Sequence, residues 1–245
     1  MNNFSLYTIL LDILKKEGKG MSITPDAVGY YLDWSSKQYF EQECVKYEST
    51  RRVGDSLLPF LRRTTIDGAS LTLPSNYKHA IACDVIWDEY SEAPADIVTC
   101  LEYQDRRDNN LILPTVTNPV VCFMSEEDEY GAITHTIDVY PSTLDEIRLT
   151  YLKQPKACIF DYYINAEGDV VYLEGGESHT LGEDEEYSDG TATGTVVGTS
   201  QELEWNDHDR LKILEGVMLK LGVKMDNGAV MQYAGMLNQV NQAQP

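Results

Sequence analysis

Long apolar runs are missing from this 245-residue chain. None approaches the ~20 residues that a bilayer-spanning helix needs, so no membrane segment is expected. The pattern of a secretory leader is missing too. Phe4, Tyr7, Leu10, Leu11 and Leu14 come first, and the lysines at 15, 16 and 19 follow them. A leader puts its basic end ahead of the apolar part and closes on small residues, so synthesis and folding in a cytoplasm are expected. Cysteine is sparse: Cys44, Cys83, Cys100, Cys122 and Cys158, with no C-x-x-C spacing. A disulfide framework or a thiolate zinc site wants close, paired spacings, so inert reduced thiols are expected. Basic residues are absent from 157–209, which hold fourteen Asp and Glu of a chain whose net charge is −21. Such a surface repels phosphate, which argues against nucleic-acid binding by charge neutralisation. It attracts basic partners and keeps copies apart in solution.

Catalytic signatures are equally absent. No P-loop, dinucleotide fingerprint, nucleophile elbow or H-E-x-x-H occurs. His79, His135, His179 and His208 lie one per region with no paired nucleophile nearby in sequence, so surface polar roles are expected. Glu183, Asp184, Glu185, Glu186 and Asp189 are oxygen donors, but the EF-hand spacing is missing and solvated acids are the expected reading. No catalytic, cofactor or metal residue is assigned. A carboxylate pair far apart in the chain, as in glycosidases, stays open as an alternative.

The sequence that is present reads as α+β. Phe4, Tyr7, Leu11 and Leu14 define one face of a short helix, which Gly18 and Gly20 stop. Thr24 suits an N-cap, Pro25 the first helical position and Asp26 the positive end of the dipole. The helix from there runs past Cys44, with Tyr30, Tyr31, Trp34, Tyr39 and Phe40 on more than one face. A surface helix needs a single apolar stripe, so its second face meets either another subunit or the C-terminal helices. Asp67-Gly68 predicts a hairpin between 61 and 73 and 81–87 reads as a strand, while 94–113 is ambiguous, with 95–107 able to form a helix. Residues 119–155 predict a three-stranded antiparallel meander (120–124, 134–140, 147–152) punctuated by Pro119, Pro141 and Pro155. A second hairpin is predicted around 165–168. Residues 174–200 are rich in Gly, Ser, Thr and acids and poor in apolar groups, which predicts a loop or arm that orders only under a partner. Leu211, Leu214, Met218 and Leu221 predict one C-terminal helix; Val230, Tyr233, Leu237 and Val240 predict another. The expected architecture is a helical bundle from both chain ends (1–60 and 206–245) with an antiparallel β-rich domain inserted at 61–205.

The 119–155 pattern, ending in Tyr151 to Pro155, resembles the β core of head-to-tail adaptor proteins of short-tailed bacteriophages. A closer resemblance is to structural proteins of crAss-like phages. It rests on ITPDAV at 23–28 with YFEQEC at 39–44, on DSLLPF at 55–60 with LTLPSNYKH at 71–79, and on EWNDHD at 204–209 with LGV at 221–223. The resemblance implies a virion protein, a subunit of a dodecameric ring below the portal through which the genome passes. It implies a helical part docked on the portal and a β part meeting the next tail ring protein. Candidate interface residues are Tyr30, Tyr31 and Trp34, the pairs Arg51, Arg52 and Arg62, Arg63, and the acids Glu183, Asp184, Glu185 and Glu186. Arg106 and Arg107 form a further basic pair. Arginine suits bidentate carboxylate recognition, so these pairs are expected to meet acidic partners or acidic segments of other copies. Another tail ring or hub, a soluble acidic enzyme and a calcium-binding module remain the alternatives.

Overall fold

A computed structural model describes residues 1–16, 23–88, 91–109, 111–127 and 133–222. It mixes α and β elements, and every ladder is antiparallel except one short pair. In chain order come α1 (Asn3–Lys16), α2 (Pro25–Thr50) and a 3₁₀ turn (Asp55–Phe60). Then follow β1 (Leu61–Asp67), β2 (Tyr77–Asp88), β3 (Ser91–Pro94), β4 (Asp96–Ile97), α3 (Cys100–Asp108), β5 (Val120–Glu127), β6 (Ile133–Tyr140) and β7 (Glu146–Lys153). The chain continues with β8 (Tyr162–Ile164), β9 (Val170–Tyr172), β10 (Ser178–Leu181), β11 (Glu186–Tyr187), β12 (Gly194–Val197) and α4 (Asp207–Lys220). Among the described residues no helix is long and apolar enough to cross a membrane. The predicted helix carrying Val230 to Val240 lies outside them.

The chain divides into two units, Met1–Pro59 with Pro155–Pro245, and Phe60–Gln154. The sequence reading placed the second boundary near 205. The structure moves it to 155 because 155–205 bury their aromatics among the helices. Phe160 lies 5.3 Å from Tyr7 and packs on Gly29, and Tyr172 lies 6.0 Å from Phe4, ring to ring. Buried Asn3 donates to the carbonyl of Gln201 (2.9 Å) and Trp205 donates to Ser36 (2.8 Å).

In the Phe60–Gln154 unit, one sheet has the order β1-β7-β2-β3 and a second the order β4-β5-β6. Ile66, Cys83, Val85, Ile147 and Leu149 of the first share a core with Val121, Ile137 and Val139 of the second. β5 is buried on both sides, since Val120 and Cys122 pack instead on Tyr103 of α3. That double burial explains the unbroken apolar run at 119–124, where a half-exposed strand would alternate.

Two expectations are corrected here. The meander closes only between β5 and β6; β7 leaves it and becomes a central strand between β1 and β2. The Asp67-Gly68 turn forms no hairpin, because β1 pairs with β7 along its whole length. Gly68 instead approaches the 144–145 backbone so closely that a Cβ would sit 2.6 Å from the Leu144 carbonyl oxygen. The 95–107 helix shortens to α3, with Asp96–Ile97 pairing in parallel with β5. The hairpin at 165–168 forms as β8–β9, its turn closed by Asn165 and by Gly168 at φ +85°.

The largest correction concerns 174–200. This segment is folded within one copy: β10 pairs with β12 and β11 pairs with β8. Its glycines let backbones cross at short range. A Cβ on Gly198 would lie 2.1 Å from the Glu174 carbonyl oxygen, and one on Gly175 would lie 2.4 Å from that of Ser200. The segment closes over Asp161, 4% exposed, whose carboxylate accepts five hydrogen bonds. The donors are Tyr162 N (3.0 Å), Ser188 Oγ (2.8 Å), Thr199 N (2.7 Å), Thr199 Oγ1 (3.0 Å) and the Tyr187 hydroxyl. Burial alone would raise the Asp161 carboxyl. Donation from Tyr187, Thr199 and Ser188 outweighs it and holds the group below the ordinary aspartate value.

Candidate assembly surface

α2 is built to show two faces. Thr24 Oγ1 accepts from Ala27 N (3.4 Å), Pro25 stands in the first turn and Asp26 meets the positive end of the dipole. At the far end Arg51 adopts the left-handed conformation (φ +54°), and its N–H returns to the Tyr47 carbonyl at 2.7 Å. Val28, Leu32, Ser36, Phe40, Cys44 and Tyr47 recur at three and four residues and are buried. On another side, Tyr30 is 65% and Trp34 48% exposed, with Val45 further along at 62%.

The exposed aromatics form one cluster. Tyr30 lies 5.7 Å from Tyr31 and 6.3 Å from Trp34, ring to ring. Lys220 of α4 sits with Nζ 4.2 Å over the Trp34 ring while donating to Ser35 Oγ (2.8 Å). Burial lowers the Lys220 pKa. Next to it Leu219 is 65% exposed. Between α2 and α4 runs a groove of about 480 Å³, lined among others by Gln38, Tyr39, Ile213, Gly216 and Leu219.

A buried carboxylate fixes this surface. Asp209, 1% exposed, accepts on Oδ1 from Tyr39 (2.9 Å), Ser56 (3.0 Å) and Lys212 (3.0 Å). Burial would raise its pKa; Lys212, Tyr39 and Ser56 outweigh that and lower it. Asn206 caps α4 by accepting from Asp209 N (2.9 Å). The N-terminus of α4, the middle of α2 and the 3₁₀ turn are thereby tied to one side chain, which sets the wall of the groove.

The structure brings together Tyr30, Tyr31 and Trp34 but scatters the other candidates. Arg51 and Arg52 are exposed where α2 ends. Arg62 and Arg63 are exposed on the edge strand β1 of the other unit, where Arg63 lies 3.5 Å from Asp84. Arg106 pairs with Asp96 and Glu102 on α3. The four-acid run is not one uniform face. Glu183, Asp184 and Glu186 are exposed, but Glu185 accepts from Gly182 N (2.7 Å) and meets His179 Nε2 at 2.9 Å. These two contacts, Gly182 first, lower its pKa. His179 in turn stacks on Tyr163 at 4.0 Å.

The thiols are Cys44, Cys83, Cys122 and Cys158, all buried, and half-buried Cys100. Burial pushes Cys83, Cys122 and Cys158 up to about 12, so these three are protonated at neutral pH and are poor nucleophiles. Among the described residues no three His, Cys, Asp or Glu side chains converge to hold a metal ion. Sequence reasoning missed Leu219, Lys220 and the Asp209 anchor. The partners of Asp209 and Lys220 on α2, Tyr39 and Ser35, lie more than 150 residues away, and no local pattern announces such a pairing. No protein-family model and no curated protein matches the chain.

Proposed function

We propose that this chain is a non-enzymatic virion structural protein, a ring-forming subunit of the head–tail connector of a short-tailed, crAss-like phage. The observation that carries the reading is the aromatic cluster on α2, beside the α2–α4 groove, with Tyr30 and Trp34 open to solvent in a single copy. Clustered aromatics next to a groove are the chemistry of a protein contact: large, stiff side chains that lose little entropy on burial. The order of the three motif segments along the chain gives the contact its biological setting. In this reading the helices drawn from both chain ends form one docking part, facing the portal, and the inserted β unit meets the next tail ring protein. Twelve copies close around the genome. The charge of −21 then repels phosphate and lets DNA slide.

Duplex DNA tests the conduit. A purified sample is expected to give no gel shift at ~150 mM salt, because the surface gains nothing from counterion release. Micromolar or tighter binding would overturn the conduit, since that reaches the range of ordinary non-specific DNA binders.

A further inference from the structure

We propose that the loop between α3 and β5 is a contact between copies of this chain, one copy's Leu111–Leu113 tip seating in the cavity beside Trp87 of the next. Four large apolar residues are exposed within six positions: Leu111 at 93%, Ile112 at 53%, Leu113 at 40% and Val116 at 52%. Isolated exposed apolar residues are ordinary, but a contiguous group marks an interaction site. The loop is also pre-formed. Leu111 N donates to Asn109 Oδ1 (3.0 Å) and Ile112 N to the Asn109 carbonyl (3.1 Å). Thr115 and Asn118 exchange both backbone bonds, and Pro114 is buried beneath them. A tip held in shape by its own backbone loses little freedom on docking.

The cavity in the same unit has about 550 Å³. Trp87, Ala93, Pro94 and Val116 give it apolar walls; Asp88 and Glu92 also line it, Glu92 paired with Arg148.

Charge selects the occupant. Residues 109–119 contain no charged side chain in a chain that is 24% charged. A basic partner would be drawn to the acids, whereas two copies that each carry −21 approach at least cost where one side of the contact, the tip, carries no charge. One copy offers the tip and the next the cavity. The inference rests on copies associating, and it adds a second contact to the α2 cluster.

The test uses full-length chain with benzoylphenylalanine at position 111, mixed as ¹⁵N-labelled and unlabelled copies, irradiated and digested. Adducts joining position 111 of one isotopic form to a peptide spanning 87–94 of the other are expected. Adducts within one copy only, to other peptides, or none would overturn the contact. In parallel, Leu111→Asp is expected to weaken self-association by ~tenfold or more with an unchanged melting temperature, because the side chain contacts little in its own copy. Unchanged association would overturn it. Rings without the adduct reject this contact alone, and the adduct without rings rejects the ring alone.

Discussion

Replacing Asp161 by Ala is expected to open residues 174–200 and to cost about 3 kcal/mol or more of stability. Five donors converge on that carboxylate from Tyr162, Tyr187, Ser188 and Thr199. Removing the acceptor leaves the buried Tyr162 N–H without a partner and frees the half-buried Tyr187 and Ser188 hydroxyls and the Thr199 groups that now hold the segment down. Amide hydrogen exchange reads the effect: protected β10 and β12 amides in the native chain, fast exchange across 174–200 in the variant, and little change in the Phe60–Gln154 unit. Equal protection in both proteins would contradict the role given to Asp161. Acid should act similarly. A carboxyl held below its unfolded value contributes fully above that value and loses the contribution as pH falls through the folded one. Loosening of the segment is therefore expected below about pH 4, not near neutrality. Asp161→Asn is expected to flatten the acid dependence in that window.

Trp34→Ala is expected to weaken assembly by about 2 kcal/mol or more per contact while each copy stays folded. The ring is half exposed, and within its own copy it meets Tyr30 at a tilt and carries Lys220 over its face. An exposed cation–π contact of this kind is worth about 1 kcal/mol, so the melting temperature should move little. Tyr30→Ala, at a more exposed site, is expected to do the same with still less effect on the single copy. Sedimentation velocity of both variants against the native chain separates the two effects. Native-like assembly in both would remove the α2 cluster from the interface.

The strands and helices were legible because local chemistry sets them. Thr24-Pro25-Asp26 starts α2, and prolines bracket β5, β6 and β7. Pairing was not legible, because β7 takes its neighbours from β1 and β2, 60 to 91 residues upstream. Alternation in a strand says which face is buried and nothing about which strand lies beside it. The acidic segment misled for a different reason. Its composition lacks the apolar area that usually offsets ordering entropy, yet a buried carboxylate and close glycine crossings order it instead. No pattern in 174–200 announces Asp161, which stands before the segment and satisfies donors up to 38 residues later. The aromatic cluster was legible in its members, since Tyr30, Tyr31 and Trp34 follow helical spacing. The α4 side of the groove was not.

Negative-stain electron microscopy of the purified full-length chain, with mass photometry of the same sample, tests the central claim most directly. The account predicts closed rings with an open centre and a mass corresponding to twelve copies, which fall apart when Trp34 is replaced. Single copies at every concentration and salt condition, with no closed particle, would contradict it.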